Sequence, residues 1–214
     1  MPAGRVPRLH VVTDSPTLQR PDFVELARAV LAAGGPGLAL HVRGPATEGR
    51  NIHDVAVALL PAAREAGATL LVNDRVDVAL TAGLEGAHLG ERSLPVAEAR
   101  RLLGPERLIG ASVHDRDRAR SAWEEGANYA FVGTIFSTAS HPGRTGIGVT
   151  EMAGILRAAP GIPMLGIGGV SVDRVRDVVR AGAHGVAVLG GVWSAPDPAA
   201  AVSEYLVALE QEDS

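Results

Sequence analysis

The sequence predicts an α/β protein, a (β/α)8 TIM barrel forming one domain over residues 1–214. Three observations predict it. Short apolar, β-branched runs recur eight times along the chain. Amphipathic stretches rich in Ala, Leu, Arg and Glu separate them, which is the pattern of parallel βαβ units. Sharing 214 residues among eight units leaves about 27 each, enough for a strand, a helix and two short loops. The rival is an open doubly wound sheet. That arrangement calls for a glycine-rich loop after the first strand, and Thr13-Asp14-Ser15-Pro16 is no dinucleotide fingerprint.

The strands read in order as Leu9–Thr13, Leu38–Val42, Thr69–Val72, Gly86–Leu89, Leu108–Ser112, Tyr129–Gly133, Pro163–Ile167 and Gly185–Leu189. They are apolar on both faces, as a parallel sheet covered on both sides requires. Helices are predicted near Asp22–Ala33, Asp54–Ala66, Val76–Ala82, Val96–Leu103, Asp115–Glu124, Thr150–Ala158, Val172–Ala181 and Pro198–Leu209. Asp115, Thr150 and Ser171 are capping-type residues at three starts. Gly34, Gly67, Gly83, Gly104, Gly126 and Gly182 stand at helix ends, where a left-handed residue closes the last turn. Val192 to Pro198 reads as a loop.

Composition narrows the function. The 20 basic residues are all Arg and face 24 acidic ones, a net charge of −4. With aromatics at 3%, the basic excess and stacking platforms of a nucleic-acid binder are missing. No Lys means no Schiff-base chemistry; no Cys means no thiolate nucleophile and no disulfide framework. No apolar run approaches the roughly 18 residues of a membrane span, and the chain opens without a signal-peptide pattern. A cytoplasmic protein without membrane or nucleic-acid partners is expected. Dimers are common among barrels, and nothing in the sequence decides for or against a homodimer.

In a barrel, chemistry collects at the C-terminal ends of the strands. Gly168-Gly169 and Gly190-Gly191 follow the last two strands, where main-chain N–H groups and a helix N-terminus suit a phosphate monoester. Tight strand-to-helix turns are their alternative role. Asn73-Asp74-Arg75-Val76-Asp77 follows the third strand and offers hard oxygens for Mg²⁺ on a diphosphate, or a helix cap with an Asp–Arg pair. His41, His88, His114 and His141 are assigned to the catalytic rim, each either a satisfied hydrogen-bonding residue or a candidate proton carrier, whereas His10, His53 and His184 are assigned structural roles.

These residues resemble the thiamine phosphate synthase/TenI superfamily over nearly the whole chain. The resemblance rests on Asn73–Asp77, Gly86-Ala87-His88-Leu89-Gly90, Ser112-Val113-His114, Phe131–Phe136, Gly166–Gly169 and Gly182–Val188. It implies a barrel that handles a phosphorylated thiazole. One activity of the superfamily joins a pyrimidine pyrophosphate to the thiazole phosphate with Mg²⁺ assistance. The other is a tautomerase that shifts a proton on a thiazole carboxylate phosphate.

The synthase pattern Gln-x-Arg-x-Lys is here His41-Val42-Arg43-Gly44-Pro45, and its Gln-x-Asp is Glu91-Arg92-Ser93. A lysine after the sixth strand is replaced within Ala139-Ser140-His141-Pro142. Because two cations and a metal carboxylate are missing, the resemblance is closer to the tautomerase. An isomerase without a cofactor is therefore expected, with Mg²⁺ at Asp74 only if the chain is synthase-like. In that reading Arg43, Asn73 and Ser112 bind substrate, Gly168, Gly169, Gly190 and Gly191 hold the phosphate, and His114, His41 or His141 carries the proton. Thr134 occupies the position of the tautomerase's histidine. A synthase with altered cation contacts and a non-catalytic thiazole-phosphate binder are the alternatives.

Overall fold

The computed structural model describes residues 6–138 and 145–212. Eight strands close in sequence order into an all-parallel barrel: β1 Leu9–Val12, β2 Leu38–Val42, β3 Thr69–Asn73, β4 Gly86–Leu89, β5 Leu108–Val113, β6 Tyr129–Gly133, β7 Met164–Ile167 and β8 Gly185–Val188. β8 returns to β1 through Leu9↔Val186, so the sheet has no free edge. Each strand lies within a residue of its predicted bounds at either end.

Helices cover the outside. Phe23–Gly34, Gly49–Ala66, Val76–Thr81, Val96–Leu103, Arg116–Glu124, Gly148–Leu156, Val175–Arg180 and Pro198–Glu210 follow the successive strands. Asp115 accepts a hydrogen bond from Arg118 N, the cap its position predicts. Thr150 does not cap its helix, which starts at Gly148. The helix after β2 starts at Gly49 instead of Asp54, because Ile52 in its first turn is buried. The stretch predicted as Val172–Ala181 divides into a 3₁₀ turn, Val172–Arg174, and a helix. Gly190–Trp193 is a helical turn that overlaps the predicted loop; Trp193 Nε1 donates to Val12 O at 2.9 Å and pins the turn over the end of β1.

Strand periodicity separates two cores. Outward residues such as Leu9, Val11, Leu40, Leu70, Val72 and Val186 pack under the helices. Inward ones, including Val12, Ala39, Leu71, Leu108, Tyr129, Phe131, Leu165 and Ala187, fill the barrel. Three histidines share that interior. His88 stacks on Phe131 with ring centroids 4.1 Å apart, and His10 lies 4.9 Å from Tyr129. Gly110 makes this possible: a Cβ there runs into the Tyr129 ring and His88 Nδ1.

Gly110→Ala is therefore expected to destabilise the barrel by about 1–3 kcal/mol through overpacking. A lowered urea midpoint with an unchanged slope checks this; a wild-type midpoint refutes it.

Candidate functional site

The barrel mouth carries different chemistry on its two sides. β3 ends at Asn73, and the next residue, Asp74, takes φ 64°, a left-handed conformation that Asp tolerates better than most residues. The Asp74 N–H donates to His88 O at 2.9 Å. This turns its carboxylate toward the end of β4, where Oδ1 accepts from Gly90 N at 2.9 Å and from the Ser93 hydroxyl. Arg75 and Asp77 form a two-point ion pair of 2.9 and 2.5 Å, which holds Asp77 below the usual carboxylate range. The Asn73–Asp77 run thus divides: Arg75 and Asp77 satisfy each other, and Asn73 and Asp74 remain at the mouth.

Arg43 follows β2 and is anchored by its backbone. Its N–H donates to the buried Thr13 hydroxyl at 2.8 Å, while the Thr13 N–H donates to His41 O at 3.1 Å. The guanidinium is close enough to His88 to help lower that imidazole's pKa, after burial as the main cause.

On the other side, β7 leads into Gly168 and Gly169 at φ 97° and 65°. An L side chain is strained at both positions. A Cβ on Gly168 also meets the Thr134 side chain, and one on Gly169 meets Phe136 and Ser137 O. Phe136 N donates to Gly168 O at 2.9 Å. Arg174 ties these loops together: its guanidinium donates to Gly169 O at 2.8 Å and lies 4.6 Å from the Phe136 ring centroid. Gly190 and Gly191 open the helical turn after β8, so their N–H groups have no i−4 carbonyl within it.

The structure redistributes the histidines. Only His114, among the expected carriers that are described, stands on the rim. Its Nδ1 donates to Gly133 O at 2.5 Å, and its Nε2 lies 3.4 Å from Glu91. His141 lies outside the described residues. His41 and His88 are not on the rim: both point inward and are fully buried. Burial lowers both pKa values, that of His41 to about 4, leaving them uncharged near neutral pH. His10, assigned a structural role, is also interior and is bonded through Nδ1 to His41 Nε2 at 2.8 Å. His41 Nδ1 lies 3.0 Å from the Asn73 side-chain amide, at the Oδ1 position. Ser112 is held by His88 Nε2 at 2.9 Å, and His88 Nδ1 faces the Tyr129 hydroxyl at 3.3 Å. Thr134 packs its methyl group against Gly168.

Sequence reasoning missed the role of His10, the Thr13 anchor and the Arg174 clamp. The parity of β1 carries the signal for the first: His10 is two positions from Val12 and shares its inward face.

A family model described as thiamine monophosphate synthase matches residues 9–192. A thiamine-phosphate synthase of Roseiflexus castenholzii is 41% identical over 201 residues, covering 94% of this chain and 86% of its own. One from Moorella thermoacetica is 43% identical over 180 residues, 83% of this chain and 84% of its own. Among solved structures, a thiamine phosphate pyrophosphorylase from Pyrococcus furiosus superimposes with a TM-score of 0.82 at 31% identity, covering 95% and 96% of the two chains. These names overturn the expected tautomerase: relatives of this similarity are called synthases.

The buried histidines set an acid limit on stability. The folded pKa of His41, about 4, lies below its ordinary 6.5, so on acidification the unfolded chain takes up the proton first. The stability tied to neutral His41 is intact above pH 6.5 and declines as pH falls toward 4. The loss is on the order of 3 kcal/mol. His41→Gln is expected to flatten the fall between these limits, measured by urea unfolding across pH; a profile parallel to wild type refutes it.

Proposed function

The chain belongs to the thiamine monophosphate synthase family, and from that premise we propose that it is a transferase joining a pyrimidine diphosphate to a thiazole phosphate to give thiamine phosphate. The observation that carries the proposal is the two-sided mouth: main-chain amides of glycine turns after β7 and β8, opposite Arg43 and Asp74 at the ends of β2 and β3. Two anionic groups, a phosphate ester and a departing diphosphate, need two such places.

In this reading the N–H groups at Gly168, Gly169, Gly190 and Gly191 seat the thiazole phosphate, with Arg174 keeping the β7 turn in register. Arg43 faces the diphosphate, where a planar, permanently charged fork pairs well with phosphate oxygens. The carbon–oxygen bond to the diphosphate breaks with its electron pair leaving on oxygen, and the thiazole nitrogen bonds to that carbon with its own lone pair. No proton is removed in this exchange, so Thr134 is no obstacle and His114 is not required as a base.

Mg²⁺ fits the donor chemistry present. Asp74 offers a carboxylate whose Oδ1 is fixed by Gly90 and Ser93, leaving Oδ2 for a cation; Mg²⁺ is commonly held by one or two carboxylates plus substrate phosphates. Bound there, it would neutralise charge developing on the diphosphate. Among the described residues no cluster of three or more His, Asp or Glu forms an all-protein cage, consistent with a cation shared with substrate.

Incubating the protein with both substrates and Mg²⁺ and separating products by chromatography tests the reading. Thiamine phosphate with release of diphosphate is expected; no product above a protein-free control overturns it. A chelator is expected to abolish turnover and excess Mg²⁺ to restore it. Asp74→Ala is expected to lower kcat/KM by at least about 100-fold, in the range of lost charge stabilisation in a transition state.

A further inference from the structure

The barrel interior holds a chain of hydrogen bonds whose protons can be counted. His10 Nε2 lies 3.1 Å from Pro7 O, a carbonyl that only accepts, so Nε2 carries a proton. In a neutral imidazole the other nitrogen is then bare. His10 Nδ1 therefore accepts, and His41 Nε2, 2.8 Å away, donates. This leaves His41 Nδ1 bare, 3.0 Å from the Asn73 amide. A half-turn of the amide exchanges its oxygen and nitrogen without changing its shape. Only the NH2 end satisfies a bare nitrogen. With the oxygen inward, both ends of the chain are acceptors, and two imidazoles must share three protons. That imidazolium would sit in a fully buried pair whose hydrogen-bond partners, Pro7 O and Asn73, include no carboxylate. Burial disfavours it on both rings.

We propose that His10 and His41 are positioning residues that hold the Asn73 amide with its NH2 group inward and its carbonyl oxygen toward the mouth. The mouth then presents an acceptor at the end of β3. An acceptor turns phosphate oxygens away and takes an N–H donor on a substrate ring. Asn73 thereby sorts the two ends of the pyrimidine substrate, ring toward Asn73 and diphosphate toward Arg43. This last consequence rests on the proposed transfer; the tautomers do not.

Long-range proton–nitrogen NMR of the wild-type protein at neutral pH tests the proton count without turnover. Both rings are expected neutral and protonated on Nε2. A proton on His41 Nδ1, or an imidazolium in the pair, overturns the proposal. Asn73→Leu supplies a second readout. Inorganic diphosphate with Mg²⁺ is expected to bind this variant within about twofold of wild type, while kcat/KM for coupling falls roughly fivefold, the worth of one hydrogen bond. A fivefold or greater loss of diphosphate affinity means that Asn73 donates to phosphate, and overturns the sorting. If the protein makes no thiamine phosphate, the assigned reaction fails while the NMR result still decides the proton count.

Discussion

The closed barrel has one constraint that everything else obeys: its interior is sealed, so every polar atom placed there must find its partner inside. Among the described residues, no buried side-chain nitrogen or oxygen lacks one. Leaving one unpaired costs about 1–3 kcal/mol, a large fraction of the stability of a domain. Three histidines, Tyr129 and Thr13 are admitted because each closes a bond to another strand: Thr13 to β2, His10 to His41, His88 to Ser112 and Tyr129. These bonds run across the barrel and upward to residues at its mouth. The interior network therefore determines how Arg43, Asn73 and Ser112 are presented, although none of its histidines is placed to touch a phosphate.

The fold was legible because its signal is redundant. Eight β-branched runs, each followed by an amphipathic stretch, leave few architectures, and glycine marks helix ends such as Gly67 and Gly104. The site was legible only in outline. Strand ends can be located to within a residue, but that residue decides whether a side chain enters the barrel or faces the helices. His88 shares its face with Gly86, while Leu89 points outward. Reading His41 and His88 as rim residues located their strands correctly and missed their depth. Gly110, which leaves room on the inward face of β5 for the Tyr129 ring and His88, is the clue that a large ring set lies inside the barrel.

The functional correction has a related cause. Counting departures from a motif treats each side chain as an independent contribution at a fixed place. The structure shows shared duties instead. Ser93 stands where a carboxylate is expected, yet its hydroxyl bonds Asp74 and helps aim the carboxylate that remains. His41 stands where a glutamine is expected, and it too meets Asn73 by a side-chain hydrogen bond. A substitution that preserves the geometry of its neighbour removes less than its own charge suggests, since effects within one network are not additive.

The proposed reaction class accords with what the mouth offers at neutral pH. A tautomerase needs a group that takes a proton and returns it. Of the described proton-carrier candidates, only His114 stands on the rim; its Nδ1 donates to Gly133 O, and its Nε2, 3.4 Å from Glu91, is the nitrogen left to exchange a proton. A substitution at carbon in which diphosphate departs and a ring nitrogen arrives needs no proton shuttle. It needs two anions held apart, the carbon between them, and compensation for charge appearing on the leaving oxygens. Gly168 and Gly169 are fixed by their loop contacts and Arg174, and Asp74 by two hydrogen bonds, so both sides are organised before substrate arrives. Positioning and charge are what the proposed transfer asks of this arrangement of residues.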